Sequence, residues 1–162
     1  MNNGNITIRK ASEDDYSAVN SLYFETYNLY HNNIPASYKK TPKPTLPRGT
    51  FISIIDDKNV LMIVAEIKDK VVGMLYATIE EYKGDEWSMP YNRVSIDELS
   101  VLPNYQGKGI GSLLMQEVEN WAKRKKVSDL TVLVYEFNDK AIKFYQNNGY
   151  DPYSIKLNKK IS

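Results

Sequence analysis

The stretch NYQGKGIGSLLMQEVENW, residues 104–121, decides the fold, because three glycines stand within five positions directly before an amphipathic segment. These are Gly107, Gly109 and Gly111, and glycine loses more conformational freedom on folding than any other residue. Successive backbone N–H groups in such a turn, together with the start of a helix, can bind an anion. The stretch therefore predicts either a phosphate-binding turn or a turn that only packs a helix closely on a sheet.

The stretch can be compared with known sequence patterns of phosphate-binding turns. A Walker A loop needs Gly-Lys followed by Ser or Thr, which the sequence lacks. A Rossmann fingerprint needs G-x-G-x-x-G near the start of its domain, whereas residues 107–111 read G-x-G-x-G and lie two-thirds of the way along the chain. The pattern Q-x-x-G-x-G fits, with Gln106, Gly109 and Gly111 after a predicted strand. A nucleotide-binding protein that uses the same turn is an alternative at this point.

The composition bounds the class of protein. The 162 residues are 42% hydrophobic and 25% charged, which predicts one folded domain over residues 1–162. The net charge of +1 gives no electrostatic reason to expect nucleic acid or an anionic membrane as a partner. With no cysteine and one histidine, we predict no metal site. Without a secretory signal or an apolar run of roughly 20 residues, the sequence predicts a cytoplasmic protein that does not enter a membrane.

Hydrophobic periodicity predicts an α/β domain with a mixed sheet and helices on its faces. Strands are predicted at 6–11, 62–67, 71–79, 93–102, 130–135 and 150–157, and helices at 12–31, 109–126 and 138–149. Because residues 130–135 are nearly all apolar or β-branched, they predict a central strand buried on both faces. Residues 32–49 hold four of the seven prolines and predict an ordered loop, while residues 50–57 fit either a strand or a helix.

Two segments resemble the GNAT superfamily of acyl-CoA-dependent N-acetyltransferases. The first is SIDELSVLPNYQGKGIGSLLMQEVENWA, residues 95–122, in which Gln106 takes the first position of the family's [RQ]-x-x-G-x-[GA] pattern. The second is NDKAIKFYQNNGY, residues 138–150, which is similar to the family's N-x-x-A-x-x-F-Y-x-x-x-G-[FY] segment. About one helix and one strand separate them, as the family requires, and the resemblance covers roughly residues 60–150.

The resemblance implies both a fold and an activity. The fold would be a mixed, mostly antiparallel sheet of six to seven strands with helices on both faces. The activity would be direct transfer of an acetyl group from acetyl-CoA to a primary amine of a small molecule or peptide, in a ternary complex. No side chain offers an obvious covalent relay. A homodimer is possible, and a non-catalytic acyl-CoA-binding module is the alternative function.

The resemblance also implies where acetyl-CoA would bind. The backbone of residues 99–101 would bind the pantetheine arm as though it were another strand, and residues 106–112 would hold the pyrophosphate. The residues assigned to the cofactor are Leu99, Ser100, Val101, Gln106, Gly107, Lys108, Gly109, Ile110, Gly111, Ser112, Asn138 and Ala141.

Acetyl transfer needs a group that removes a proton from the amine and a donor for the departing sulfur. The resemblance implies Tyr145 as the donor and a carboxylate, Asp97 or Glu98, as the base. Neighbouring residues on an ideal strand point to opposite faces, so only one of the two would face the site, and Asp97 is slightly preferred. A β-bulge, which is common beside active sites, would change this alternation.

The family places the acceptor pocket between the N-terminal helical region and the connection before the motif strand. Here these segments contribute Tyr23, Tyr27, Trp87 and Tyr91, with several acidic residues nearby. Aromatic rings together with acids suit a cationic amine with an apolar body. The single histidine, His31, is interpreted as structural or exposed rather than catalytic.

Overall fold

A computed structural model describes residues 5–40, 46–159 and 161. Its centre is a five-stranded sheet in the order β1-β2-β3-β4-β5. The strands are β1 Thr7–Lys10, β2 Val60–Ile67, β3 Lys70–Tyr82, β4 Tyr91–Val101 and β5 Asp129–Val132. The first four strands pair antiparallel, while β5 runs parallel to β4, so the predicted mixed and mostly antiparallel sheet is confirmed.

Helices cover both faces of the sheet, also as predicted. They are α1 Tyr16–Asn33, α2 Arg48–Asp56, α3 Ile110–Arg124 and α4 Asp139–Asn147. One buried cluster joins α1 and α2 to one face through Val19, Leu22 and Phe51. A second, larger cluster joins α3 and α4 to the opposite face. Each element thus buries its apolar side against the sheet, and polar residues are left at the ends of the strands.

The sheet has five strands in the part of the chain that the structure describes, so the prediction of six to seven strands is wrong. Residues 150–157, predicted as the last strand, adopt no regular structure. Their alternating side chains Tyr153, Ile155 and Leu157 are 87–89% exposed. Alternation of apolar and polar residues favours an extended chain, but it carries no information about which sheet edge the chain would meet.

The prediction of a central strand at residues 130–135 is also wrong. The strand β5 ends at Val132 and is an edge strand, because no strand pairs with it on its outer side within the described residues. Its apolar residues are only half-buried, and Leu133 beyond it is exposed. An apolar run of this length is equally compatible with an edge strand that rests on a helix.

Most of residues 50–57, whose sequence fits either a strand or a helix, lie in the helix α2. Residues 48–56 are helical, and Phe51 is fully buried against the sheet. The chain between α1 and α2 contains the proline-rich segment that we predict to be an ordered loop. Part of that loop, residues 41–45, lies outside the described residues.

Candidate active site

A β-bulge in β4 turns Asp97 and Glu98 to the same face of the sheet. The register of β3 against β4 shifts by one residue between Ile96 and Glu98, which leaves Asp97 without an opposite residue. Ile96 and Leu99 both pack in the cluster on the α3 side. The two acidic residues between them therefore both face α1. The strict alternation that would have separated the two carboxylates does not hold here.

The side chain of Glu98 is hydrogen-bonded to a residue of α1. Thr26 Oγ1 donates a hydrogen bond to Glu98 Oε1 at 2.8 Å. Burial, reinforced by the charge of Asp97, raises the pKa of Glu98 to about 7, although the bond from Thr26 lowers it. Burial and the Glu98 carboxylate together raise the pKa of Tyr23 and of Tyr30, which lie on the same face of α1. A carboxyl group with this pKa can take up a proton near neutral pH.

Asp97 has different partners. Its Oδ2 accepts a hydrogen bond from Thr78 Oγ1 at 2.9 Å, and its Oδ1 accepts one from Ser95 Oγ at 3.1 Å. Its side chain is exposed. Both carboxylate oxygens are thus already engaged, while one oxygen of Glu98 has no hydrogen-bond partner among the described residues.

Tyr145 approaches from the other side of the sheet. It lies on α4, belongs to the cluster on the α3 side, and is 8% exposed. Its ring contacts those of Phe144 and Tyr150 edge-on, with centroids 5.2 and 5.5 Å away. Burial and the neighbouring Glu98 carboxylate raise the pKa of the Tyr145 phenol. The charge of Glu98 thus acts on the Tyr145 phenol, although the two side chains belong to opposite layers of the fold.

Glu98 lies on β4 just beyond the point where β4 and β5 separate. The two strands pair from Arg93 opposite Asp129 to Ile96 opposite Val132, and β5 ends there. Beyond this point residues 98–101 of β4 pair with β3 only, which leaves a gap on the side of β5. An extended ligand can add to such a free strand edge. Within the gap, Gln106 Nε2 already donates to the Val101 carbonyl oxygen at 2.8 Å.

The glycine turn lies at the end of β4 and opens α3. Gly107 and Gly109 have φ angles of +72° and +82°, a backbone conformation that favours glycine. A Cβ built on either residue would meet no atom within 4 Å, so the space above the turn is open. Within the described part of the chain, the backbone N–H groups of residues 107–112 have no acceptor. This turn, residues 106–112, is called the glycine cradle below.

The other residues of the cradle connect it to its surroundings. Gly111 serves packing, because a Cβ there would lie 3.0 Å from the ring of Phe144. Ile110 is buried, while Ser112 and Lys108 are exposed, and Lys108 Nζ lies 5.1 Å from the centre of the Tyr105 ring. Lys140, which no sequence motif singles out, donates from its Nζ to Gln106 Oε1 and so links the cradle to α4.

Asn138 and Ala141 lie at the start of α4. Asn138 Oδ1 accepts a hydrogen bond from the Ala141 backbone N–H at 3.1 Å and so caps the helix. This cap fixes the direction in which α4 leaves the gap, and with it the position of Tyr145 two turns later. The predicted contact of Asn138 with the cofactor stays a prediction.

The structure brings only some of the predicted acceptor residues to this group. Tyr23 lies beside Glu98, and the Tyr27 ring contacts that of Tyr38 at 5.7 Å. Trp87 is 91% exposed, and Tyr91 contacts Tyr82, at the far end of the β3–β4 hairpin. Tyr91 lies seven positions before Glu98 on β4, which is roughly 23 Å along a strand. A role of these two residues in substrate binding stays a prediction.

Several residues near Glu98 were missed by the sequence analysis. Thr26 and Tyr30 share a helix face with Tyr23 and Tyr27, and the spacing i, i+3, i+4, i+7 was the signal that could have identified them. His31 Nδ1 lies 2.8 Å from the backbone oxygen of Tyr38, which agrees with a structural histidine. Tyr38, Tyr135 and Phe137 carry no such local signal, and their contacts are described below.

Two further findings concern the described residues only. No group of three or more histidine, aspartate or glutamate residues among them is arranged to hold a metal ion. None of the described helices combines the length and the apolar character that crossing a bilayer requires.

The comparisons with known proteins agree with this geometry. Residues 22–150 match the model of the acetyltransferase (GNAT) family. An uncharacterised N-acetyltransferase of Archaeoglobus fulgidus is 30% identical over 143 residues, covering 85% of this chain and 88% of that protein. Another, from Methanocaldococcus jannaschii, is 26% identical over 145 residues and covers 90% of this chain, but the chain spans only 60% of that protein.

The fold recurs in a solved structure. A variant of the BH1408 protein of Bacillus halodurans superposes with a TM-score of 0.92 at 21% identity, covering 96% of this chain and 99% of that one. The family match spans the bulged strand, the glycine cradle and α4, which are the elements that assemble the candidate site. The chain therefore belongs to the acetyltransferase (GNAT) family.

Proposed function

We propose that the protein is an N-acetyltransferase that transfers the acetyl group of acetyl-CoA directly to a primary amine. The observation that carries this proposal is a buried carboxylate, Glu98, on the part of β4 that has separated from β5. Glu98 can take up a proton near neutral pH, and its charge acts on the phenol of Tyr145, which holds one. The family match supports the same activity.

The residues present fit acetyl-CoA. The cradle offers unpartnered N–H groups, a helix start and open space over Gly107 and Gly109, which together suit a diphosphate. The free edge of residues 97–101 suits the pantetheine arm. Acetyl-CoA would supply an activated thioester and a thiolate as leaving group. Lys108 and Lys140 would add positive charge beside the cradle.

Glu98 is proposed as the base. An ammonium has no free electron pair, so the acceptor must lose a proton before its nitrogen can bond to the acetyl carbon. Glu98 Oε2 would take this proton, directly or through a water molecule, because Oε1 already accepts from Thr26. The sequence analysis slightly preferred Asp97, and we propose Glu98 instead because both oxygens of Asp97 are engaged by Thr78 and Ser95.

Tyr145 is proposed as the donor to the departing sulfur. Its raised pKa keeps the phenol protonated over the whole working pH range. Thiols titrate near 8.5, below phenols, so complete proton transfer to the sulfur is uphill. The Tyr145 hydroxyl would therefore act mainly by hydrogen bonding to the developing negative charge. Glu98 takes the first proton from the ammonium before the N–C bond forms. As the C–S bond breaks, the nitrogen loses its second proton, which reaches the departing thiolate through solvent, and the products are an amide, a thiol and protonated Glu98.

The proposed function is tested by measuring cofactor binding and thiol release separately. We expect acetyl-CoA to bind in a calorimetric titration, and a set of primary amines to release free thiol that a thiol reagent detects. ATP and NAD should not compete with acetyl-CoA. Binding without thiol release for any amine would contradict the proposal and would favour the non-catalytic acyl-CoA-binding module.

Replacement of Tyr145 by Phe should lower kcat about 10- to 100-fold, because one hydrogen bond to a developing charge is lost. The dissociation constant of acetyl-CoA should stay within about threefold, since the ring remains in place. The matched control is Tyr150→Phe, in the ring that contacts Tyr145. The buried hydroxyl of Tyr150 has no partner among the described residues, so its removal should leave kcat unchanged and stability equal or higher. Equal rates for Tyr145→Phe and wild type would remove its role.

A cytoplasmic location and a homodimer stay predictions.

A further inference from the structure

Five aromatic rings lie together beside Glu98 and are called the aromatic cluster. Its members are Tyr27, Tyr30, Tyr38, Tyr135 and Phe137. The first three come from α1 and the segment after it, and the other two follow β5. The cluster therefore joins two parts of the chain on the side where β4 and β5 separate.

Tyr30 connects the cluster to the base. Its ring centre lies 5.1 Å from that of Tyr38, 5.4 Å from Tyr135 and 6.2 Å from Phe137. Burial raises the pKa of Tyr30 to about 12, and the charge of Glu98 contributes to this rise. Tyr30 is thus in contact with the other rings and within the field of the carboxylate. An amine that reaches Glu98 from this side meets the cluster first.

The two halves of the cluster are held together by weak contacts. The hydroxyls of Tyr38 and Tyr135 lie 3.1 Å apart, and most ring pairs meet edge-on or tilted. All five residues are half-buried, so part of each side chain stays accessible. Such an arrangement leaves ring surface for a further flat group, because aromatic pairs favour offset or edge-to-face contacts.

The charges around the cluster limit the kind of ligand. The cation–π contacts among the described residues involve the rings of Tyr16, Tyr91 and Tyr105, so no lysine or arginine of the described chain occupies a face of the cluster. The charge of Glu98 acts on Tyr30 of the cluster. Both oxygens of Asp97 accept hydrogen bonds, whereas Glu98 Oε2 has no partner among the described residues, so this pair of carboxylates offers one free oxygen for one ammonium nitrogen.

We infer that the acceptor is a primary aliphatic monoamine that carries an aromatic ring, with this ring against the aromatic cluster and its nitrogen at Glu98. This inference rests on the proposed function. Acetylation turns the cationic amine into a neutral amide, which removes the cation–π attraction and favours release of the product.

The test uses four amines and two readouts. Values of kcat/KM are measured for 2-phenylethylamine, n-hexylamine, spermidine and kanamycin, and binding of 2-phenylethylamine to the protein without acetyl-CoA is measured by calorimetry. We expect kcat/KM for 2-phenylethylamine to exceed that of each other amine by about tenfold or more, which is the size of one aromatic contact. Equal or better use of n-hexylamine, spermidine or kanamycin would overturn the inference.

Variants locate the effect in the cluster. Tyr135→Leu and, as a second substitution, Phe137→Leu should each lower kcat/KM and the affinity for 2-phenylethylamine about 5- to 10-fold, and leave kcat/KM for n-hexylamine within about twofold. Tyr153→Leu removes an exposed ring outside the cluster and should change neither value. An equal loss for all amines would contradict ring recognition. Ring-dependent binding without thiol release for any amine would instead contradict the proposed function and support the aromatic site.

Discussion

Replacement of Glu98 by Gln is expected to lower kcat by about 10²- to 10⁴-fold at pH 8, the range observed when a general base is removed. Glutamine keeps the size of the side chain and can still accept the hydrogen bond from Thr26 Oγ1. It cannot take up a proton, so the acceptor amine stays charged at the point of attack. Affinity for acetyl-CoA should be unchanged, because the cradle and the edge of β4 are untouched.

The pH dependence of kcat/KM in the wild type should also show that Glu98 acts as the base. Burial raises the pKa of Glu98 to about 7, so below that pH the carboxyl is protonated and cannot act as base. We expect log kcat/KM to rise with pH up to about 7 and then to level off, apart from the titration of the amine itself. The Glu98→Gln variant should lack this rise. A profile without an inflection near neutrality in the wild type would contradict the assignment.

The Glu98→Gln substitution should raise the stability of the fold although it lowers the activity. Since the pKa of Glu98 lies above its ordinary value of 4.5, the folded state holds a proton that the unfolded state has released between about pH 4.5 and 7. Stability therefore falls as pH rises through this window, by up to about 3 kcal/mol. Glu98→Gln removes this penalty, and urea unfolding should show a gain that is larger at pH 8 than at pH 5. Loss of activity with gain of stability rules out simple unfolding.

Asp97→Asn is the matched control. It removes the neighbouring charge on the same face of the sheet, and its bonds to Thr78 and Ser95 can partly be kept. We expect kcat within about fivefold of the wild type, because the base is intact. The pKa seen in the profile should fall, since the charge of Asp97 helps to raise that of Glu98. Inactive Asp97→Asn beside active Glu98→Gln would reverse the assignment of the base.

The sequence could predict what local rules decide. The glycine spacing predicted the position of the open turn, and the paired acidic residues include the base that we propose. That both acidic residues face α1 depends on a register shift between β3 and β4, and only the pairing of distant strands decides that. The spacing of residues 23–30 on α1 held the remaining signal.

Contacts between residues that are far apart in the sequence could not be predicted. The hydroxyls of Tyr38 and Tyr135 come together across 97 positions of sequence. Neither residue lies in a pattern that points to the other, because each follows the end of a regular element. The missing last strand has the same cause, since residues 150–157 alternate correctly but pair with no edge in the described structure. Local periodicity can predict that a segment is extended, but pairing with a distant strand decides whether that segment joins the sheet.

Replacement of Gly109 by Leu is expected to abolish measurable binding of acetyl-CoA, with a loss of at least about 100-fold in affinity. The new side chain would project into the open space over the cradle, where a diphosphate must approach the backbone N–H groups. Leucine at a φ of +82° also strains the backbone by about 1–2 kcal/mol, which would turn these groups away from a common direction. Calorimetric titration with acetyl-CoA and with CoA measures the effect.

Leucine substitutions at two other glycines serve as controls that distinguish backbone strain from loss of the diphosphate-binding site. Gly149 has a φ of +85° and equally open space, but it follows α4 and lies outside the cradle, so Gly149→Leu should cost similar stability and leave the affinity for acetyl-CoA unchanged. Gly111→Leu would instead push against Phe144 and should destabilise the fold itself. Because Gly109→Leu meets no protein atom, its melting temperature should match that of Gly149→Leu. Retained affinity in a folded Gly109→Leu protein would mean that the diphosphate binds elsewhere.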